Sequence, residues 1–213
     1  DPVAPLRSTR MQAVIGVPVH AQHLHVDVHH GNGTEHIFYE DPDVLTISLH
    51  QERNYPLDTG DAKHTGGDNA PFSNMNIPLM PGGGTAAYKA AFEQLVLPKL
   101  AAFKADIVIV ACGFDASGVD PLSRMLLSAA DFAMLTDMLM EQTGGKLVMA
   151  HEGGYSEAHV PFCGHAVLQT MSGSAITAED PLGARIKGQQ PEARFNQLQA
   201  TLISEMASLH GLK

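Results

Sequence analysis

Two short polar clusters along the chain contain side chains that can bind a metal ion. Asp27 and His29 form an Asp-x-His pair, and Asp115 stands in the second cluster. In an extended chain residues i and i+2 point to the same side, so Asp27 and His29 can bind one ion together. With Asp115 as a third ligand, the set leaves coordination positions open, as catalytic metal sites require. These oxygen and nitrogen ligands predict zinc, with Fe(II), Co(II) or Mn(II) as alternatives.

The elements predicted around these clusters alternate between strands and helices, which predicts a parallel α/β sheet. Two segments, 106–111 and 146–150, are nearly continuous apolar runs, the pattern of parallel strands buried on both faces. Strands are predicted at 24–28, 44–49, 106–111 and 146–150, with an extended segment at 74–79. Helices are predicted at 34–39, at 85–103 with a kink at Pro98, and at 128–142, 156–171 and 191–209; 51–72 and 174–190 are predicted loops.

Each polar cluster follows a predicted strand. Asp27 and His29 follow the first strand, Asp115 follows 106–111, and Tyr155 belongs to a third cluster after 146–150. Open parallel sheets bind ligands outside the carboxyl ends of their strands. A lone Asp-x-His pair would be explained as well by a cap on a strand end. Three clusters at three strand ends favour one shared site instead.

Composition limits the classes of partner. The 23 acidic and 13 basic residues give a formal net charge of −10. An acidic surface attracts cationic substrates such as acylated lysine tails or polyamines. Lys and Arg form no cluster longer than a dipeptide, so no nucleic-acid partner is expected.

Hydropathy and cysteine content limit the location. No apolar run approaches the ~18 residues that span a bilayer, so no membrane partner is expected. The first twelve residues do not resemble a signal peptide, which predicts a cytoplasmic protein. The two cysteines, Cys112 and Cys163, do not form a disulfide framework for a chain of 213 residues.

The motifs resemble those of the histone deacetylase superfamily. The segment 27–34, Asp-Val-His-His-Gly-Asn-Gly-Thr, resembles the metal-binding signature in the form seen in the class II and bacterial branch. Segment 113–116 resembles the third-ligand motif, 152–155 the catalytic-tyrosine motif, and 44–50 the strand between them. The resemblance is strongest to bacterial histone deacetylase-like amidohydrolases and acetylpolyamine amidohydrolases. It implies an arginase/deacetylase-like α/β fold, a parallel sheet flanked by helices.

The resemblance implies a role for each residue of the site. Asp27, His29 and Asp115 would hold zinc, which polarises an acyl carbonyl and activates water. Tyr155 would donate a hydrogen bond to the developing oxyanion. The implied reaction removes acyl groups from acyl-lysine or acylpolyamine-like amides, so the implied partner is a small acylated substrate.

The resemblance also implies a second ion and a substrate wall. Ser48 and Leu49, with backbone groups of Asp27 and His29, correspond to a monovalent-cation site, usually potassium. Tyr55 corresponds to an aromatic wall of the acyl-lysine tunnel.

The chain departs from the family pattern upstream of Asp27. Relatives carry there a Pro-Gly-His-His-type motif whose histidines act as general base and general acid, and this sequence has none. The chain is thus N-terminally truncated relative to the family and resembles only its C-terminal half. Three interpretations stay open: a fragment of a longer enzyme, a substitute base supplied by His20, His23 or His25, or His25 as a further metal ligand.

The expected organisation is a single domain over residues 1–213. It comprises an irregular segment at 1–23, a family-like core at 24–173, and a loop with a C-terminal helix at 174–213. Loss of half of an α/β domain would expose apolar surface, which predicts a homo-oligomer. The leading function is a zinc-dependent deacylase. The alternatives are a metal-dependent esterase or lactonase and a non-catalytic metal-binding remnant. General-base catalysis contributes ~10²–10⁴-fold, so an enzyme without its usual base is expected to act on activated esters or lactones rather than on amides.

Overall fold

Five strands form one sheet in residues 20–212, which are the residues that the computed structural model describes. They are β1 (Ala21–Val26), β2 (Val44–Gln51), β3 (Asn74–Leu79), β4 (Ile107–Cys112) and β5 (Leu147–His151). Their order is β3-β2-β1-β4-β5, and every neighbouring pair is parallel. The predicted fold class, a parallel sheet flanked by helices, is confirmed.

Helices follow the strands, and local sequence sets their ends. The longest connecting helix, α4, begins with a capping box in which Ser128 and Asp131 exchange hydrogen bonds, and ends at Gly144 in the left-handed conformation. The helices are α1 (Asn32–Phe38), α2 (Thr85–Ala91), α3 (Leu97–Phe103), α4 (Ala129–Thr143), α5 (Val160–Ser172), α6 (Gly183–Gly188) and α7 (Ala193–Leu209).

The core lies around the middle of the sheet. Every residue of β2 is buried, and Leu24 of β1 and Val110 of β4 have no exposed surface. Tyr88 and Phe92 from the helical segment before β4 pack into the same cluster. Helix α7 packs against α2 and β3, so the β3 side of the sheet is covered.

The prediction that 106–111 and 146–150 are buried on both faces is wrong. The register places Ile109 beside Val148 and Ala111 beside Ala150, and none of these four residues is buried. Val148 is 47% exposed. The physical reason is that β5 is an edge strand, and no described helix covers this face of β4 and β5.

Two further expectations change. The predicted helix 85–103 contains a π-helical turn (Phe92–Val96) between α2 and α3. This irregularity lies just before Pro98, which lacks the N–H that a regular helix would pair with a carbonyl one turn earlier. The predicted loop 174–190 contains the short helix α6, because Ile186 is buried against the rest of the molecule.

The N-terminal boundary also moves. Strand β1 begins at Ala21 rather than at residue 24 and ends at Val26 rather than at residue 28. Residues 1–19 of the predicted irregular segment lie outside the described residues. Between residues 20 and 212, no helix has both the length and the apolar character needed to cross a bilayer.

Candidate metal centre

The ends of β1 and β4 bring the predicted ligands together. Val26 and Cys112 are register partners at the ends of these strands, and Gly113 N–H donates to the Val26 carbonyl at 2.8 Å. Asp27 and His29 lie in the bend that follows β1. Asp115 lies just beyond the end of β4. Because both loops leave neighbouring parallel strands at the same edge, their side chains meet there.

The three predicted ligands form one cluster. One ligand atom from each of Asp27, His29 and Asp115 lies within 4.8 Å of the other two. His29 Nδ1 is 3.0 Å from Asp27 Oδ1 and 3.1 Å from Asp115 Oδ2. Backbone N–H groups fix the carboxylates: His29 N–H donates to Asp27 Oδ1 at 2.7 Å, and Val28 N–H donates to Asp115 Oδ1 at 2.8 Å.

The electrostatics of the cluster suit a cation. Asp115 has no exposed surface, and its Oδ2 has no hydrogen-bond partner of acceptable geometry. Burial, followed by the charge of Asp27, raises the pKa of the Asp115 carboxyl. A bound cation would supply the partner that Asp115 Oδ2 lacks and offset the repulsion between the two carboxylates. The residues present therefore fit a divalent metal ion.

Two glycines make room for these carboxylates. A Cβ atom at Gly113 would overlap Asp27 Oδ2, and a Cβ atom at Gly153 would overlap Asp115 Oδ2. Neither glycine has a positive φ, so what each position requires is space rather than a left-handed backbone. Glycine in the 113–116 and 152–155 motifs thus has a steric reason.

Tyr155 faces the same cluster from the end of β5. Its ring lies edge-on to that of His29, with centroids 6.4 Å apart, and its side chain is half exposed. Its backbone N–H donates to Asp120 Oδ2 at 2.7 Å, which fixes where the side chain starts. Partial burial and the charges of Asp115 and Asp27 raise the pKa of the Tyr155 phenol, so it remains a donor at neutral pH.

A cavity of about 660 Å³ opens beside the ligands. Asp27, His29 and Tyr155 line it, and Tyr55 and Leu122 supply apolar wall. The Tyr55 ring lies edge-on to that of His29, with centroids 6.1 Å apart. Tyr55 thus lines the cavity, and its role as a wall of a substrate tunnel stays a prediction.

The three upstream histidines occupy different places. His20 stands before β1 and lies 3.6 Å from Asp43, at the opposite end of the strand from Asp27. At about 3.3 Å per residue, this separation is roughly 20 Å. His23 stacks on Phe38. The structure does not bring His20 or His23 to the cluster.

His25 lines the cavity but does not belong to the ligand cluster. Because β1 ends at Val26, the alternation that would align His25 with Asp27 and His29 does not continue. His25 Nε2 instead lies 3.0 Å from Thr34 Oγ1. Burial chiefly lowers the pKa of His25, which favours the neutral imidazole.

The predicted potassium site is poorly supported by its side chain. Ser48 Oγ accepts a hydrogen bond from Gly31 N–H at 3.1 Å and lies 3.0 Å from His50 Nδ1. Ser48 Oγ therefore already has two protein partners. Leu49 offers only its carbonyl, which faces Asp27 N–H at 3.5 Å. The potassium site therefore stays a prediction.

Two positions around the site were not among the predicted site residues. Asp120 receives both Tyr155 N–H and Leu122 N–H, and the Asp120-Pro121 dipeptide is a turn signal that could have drawn attention to it. His30 is buried and lies 3.0 Å from Glu35 Oε2 and 3.1 Å from Asn76 Oδ1. Asn76 is 46 residues away in the sequence, so no local pattern predicts that contact.

The fold and the cluster define a parallel α/β protein with a carboxylate–imidazole cluster that could hold a metal ion, at the carboxyl edge of its sheet. The histone deacetylase domain family matches residues 21–171. The chain belongs to this family, and membership implies a metal cofactor, usually zinc.

Individual relatives agree. The chain is 47% identical over 190 residues to a histone deacetylase-like amidohydrolase of Pseudomonas aeruginosa, covering 87% of this chain and 50% of the relative. It is similar to the crystal structure of the HDA15 HD domain, with a TM-score of 0.73, 30% identity, and coverage of 93% of this chain and 57% of that one. For the histone deacetylase Clr3 the TM-score is 0.79, again at 30% identity, covering 94% and 34%. The chain thus spans about half the length of the curated relative.

Proposed function

We propose that the chain forms the metal site of a zinc-dependent hydrolase that removes acyl groups from acyl-lysine or acylpolyamine-like amides. The carrying observation is the cluster of Asp27, His29 and Asp115, in which buried Asp115 Oδ2 lacks a hydrogen-bond partner. Family membership and the cavity beside the cluster support the same function.

Each side chain of the site has a chemical task in this proposal. Asp27, His29 and Asp115 would hold zinc, which supplies Lewis-acid polarisation of the acyl carbonyl when bound. Tyr155 donates its phenolic hydrogen to the oxyanion that develops as the acyl carbon becomes tetrahedral. Asp120 holds the Tyr155 backbone, so the donor is positioned before substrate arrives.

The walls of the cavity suit an acyl chain on a flexible, cationic stem. Tyr55, Leu122 and Tyr155 contribute apolar surface, and Glu152 lies at the lining as well. The formal net charge of −10 favours approach of a cationic molecule. A small acylated amine of the lysine or polyamine class combines both features.

Proton transfer distinguishes the leading reaction from a second candidate. Within residues 20–212, the imidazoles that line the cavity belong to His25, His29 and His30. His29 is assigned to the metal, and both ring nitrogens of His30 already have partners. His25 is therefore the histidine that we propose as proton acceptor, though its Nε2 already contacts Thr34 Oγ1. Because His25 is already engaged, proton transfer is poorly supported, which favours hydrolysis of activated esters or lactones as the second candidate function. The leaving groups of these substrates need no general acid.

A substrate panel tests the proposal. Purified protein is loaded with zinc and assayed on an acetyl-lysine amide, an acetylated polyamine, a p-nitrophenyl ester and an acyl lactone, each with and without chelator. We expect amide turnover that chelator removes. Ester or lactone turnover without amide turnover would establish the second candidate. Amide turnover that survives full chelation would refute the zinc mechanism, and metal binding without any turnover would identify a non-catalytic remnant.

A ligand variant tests the site itself. Asp115→Asn should reduce bound zinc from one equivalent to near zero, because it removes a buried anionic ligand. Asp137→Asn, an exposed change of the same type on α4, is the control and should retain zinc. Equal zinc content in the two variants, measured by mass spectrometry of the metal, would show that the ligand set is wrong.

A further inference from the structure

Ser117, His159 and Asp180 form a network of hydrogen-bonded side chains close to the metal cluster in the fold. Ser117 Oγ is 2.6 Å from His159 Nδ1, and His159 Nε2 is 3.0 Å from Asp180 Oδ2. The Asp180 carboxylate accepts a hydrogen bond from His159 Nε2–H. His159 Nδ1 therefore carries no hydrogen and accepts a hydrogen bond from the Ser117 hydroxyl. Burial alone would raise the pKa of Asp180, but hydrogen bonds from His159, Leu182 N–H and Ala129 N–H lower it, so the carboxylate stays charged.

The Ser117–His159–Asp180 network does not form a nucleophilic site. His159 has no exposed surface and Ser117 is 2% exposed, so no substrate carbonyl can reach the Ser117 hydroxyl. The Ser117 hydroxyl also accepts Val119 N–H at 3.3 Å. Buried polar groups whose hydrogen bonds are all satisfied fix structure rather than perform chemistry.

The network joins two loops that carry residues of the site. Ser117 belongs to the loop 113–120, which contains Asp115, and His159 ends the loop 152–159, which contains Tyr155. The same loops are also joined by Phe114 N–H to the Gly153 carbonyl and by Tyr155 N–H to Asp120 Oδ2, each at 2.7 Å. The Ser117–His159 hydrogen bond therefore adds a third connection between the two loops.

Asp180 anchors this connection to the remainder of the fold. Its Oδ2 accepts Ala129 N–H at the start of α4 at 3.2 Å, and its Oδ1 accepts Leu182 N–H at 2.8 Å. The imidazole thereby links both loops to a helix terminus. Removal of His159 would leave Ser117 and Asp180 without their shared partner inside the protein.

We propose that His159 is a positioning residue that, through Ser117 and Asp180, holds the Asp115 loop against the Tyr155 loop and so sets the geometry of the metal ligands. The proposal rests on the proposed function for its metal readout, but its structural readout does not require metal. Partners that orient metal ligands typically change metal affinity by about 10–100-fold when they are removed.

The test compares Ser117→Ala with Ser174→Ala. Both hydroxyls accept the N–H two residues further on, but Ser174 is distant in the chain and its loop carries no predicted ligand. Zinc affinity is measured by competition with a chelator, and the visible spectrum of the cobalt-loaded protein reports ligand geometry. We expect Ser117→Ala to weaken zinc binding about 10-fold or more and to alter the cobalt bands. Ser174→Ala should match the parent protein.

Two variants of His159 separate hydrogen bonding from bulk. His159→Phe keeps a ring but loses both bonds, whereas His159→Asn can still accept from Ser117. We expect weak zinc binding in the first and substantial recovery in the second. His165→Phe on α5, the helix that follows His159, is the control, and thermal unfolding of each variant shows whether the chain has folded.

Hydrogen exchange of the metal-free protein gives an independent outcome. The Phe114 and Tyr155 amides, which connect the two loops, should exchange faster in Ser117→Ala than in Ser174→Ala. Unchanged exchange at both amides, or zinc affinity within about twofold of the parent, would overturn the proposal. If the parent binds no zinc, the proposed function fails, and the exchange measurement still decides whether His159 positions the loops.

Discussion

At the scale of single residues, the metal site requires residues without a side chain beside its ligands as much as it requires the ligands themselves. Gly113 and Gly153 each lie against a ligand carboxylate with no space for a side chain. The Asp115 carboxylate is consequently packed between backbone segments and has one oxygen held by Val28 N–H. The direction of the free oxygen is therefore set by close packing, which a single methyl group would disturb.

Gly153→Ala should abolish tight zinc binding while leaving the chain folded. The added Cβ would overlap Asp115 Oδ2, so the carboxylate or its loop must move. Gly188→Ala is the matched control, because a Cβ there meets no atom within 4 Å. We expect at least a tenfold loss of zinc affinity in the first variant and none in the second, measured by chelator competition. Equal affinities would show that the site tolerates displacement of Asp115.

Tyr155→Phe tests the oxyanion donor. Loss of one such donor lowers kcat by about 10²–10³-fold in well-studied hydrolases, with little effect on KM. Zinc content should not change, because Tyr155 is not in the ligand cluster. Tyr55→Phe is the control: it removes another phenol from the cavity lining and should alter kcat less than about threefold. A fall in kcat of similar size in both variants would assign Tyr155 to substrate packing rather than to oxyanion stabilisation.

At the scale of elements, the sequence predicted which segments form strands but not how deeply each strand is buried. The segment 74–79 was predicted as extended and matches β3, and the polar clusters after β1, β4 and β5 lie where the carboxyl-end rule requires. The ligand cluster was predictable because each member follows a strand in a recognisable motif. Burial of β5 was not, since an apolar run cannot tell whether its strand has one neighbour or two.

Contacts between distant segments were equally invisible in the sequence. His159 looks like an ordinary histidine at a helix start, yet it joins Ser117 to Asp180 across 42 and 21 residues of sequence. No periodicity records such a pairing. His50 on β2 is held more locally, since its ring nitrogens face Ser48 Oγ, two residues before it, and the Gly60 carbonyl, ten residues after it.

His50 should make the stability of the fold depend on pH. Burial, followed by the nearby His30 ring, lowers the pKa of His50 to about 4, with Glu35 opposing the shift. Above the unfolded pKa of about 6.5, both states are neutral and the stability is complete. As the pH falls from about 6.5 towards 4, the unfolded chain takes up a proton that the folded protein refuses, so the free energy of unfolding decreases.

The size of this effect can be measured against a variant. The shift corresponds to at most about 3 kcal/mol between pH 7 and pH 4. His50→Gln should be less stable at pH 7 but show a shallower decrease, measured by urea unfolding at several pH values. His36→Gln, at an exposed position on α1, should keep the parent's slope. Parallel slopes in His50→Gln and the parent would exclude His50 as the titrating group.

At the scale of the whole molecule, the two edges of the sheet differ. The β3 edge is buried and packs against α7, whereas β5 exposes Val148, Ala150 and His151. Within residues 20–212 no strand pairs with the outer edge of β5, and an open edge strand offers unpaired backbone groups to another strand. We propose that a second copy of the chain pairs with β5, which gives the expected homo-oligomer a location.

The backbone geometry of β5 supports an antiparallel pairing about Met149. Val108 N–H donates to the Lys146 carbonyl, and Glu152 N–H donates to the Cys112 carbonyl. Because N–H groups alternate along a strand, the Met149 N–H points away from β4. A twofold axis at Met149 would place Lys146 of one copy opposite Glu152 of the other, and both side chains are exposed.

Met149→Pro should therefore convert a dimer to a monomer without breaking the sheet. Proline removes the outward N–H and blocks pairing at the edge, while the hydrogen bonds to β4 remain. Sedimentation velocity would measure the mass, and thermal unfolding would confirm the fold. Leu168→Lys, a change at an exposed position of α5, is the control and should remain dimeric. A monomeric parent chain, or a dimer that survives Met149→Pro, would rule out pairing through β5.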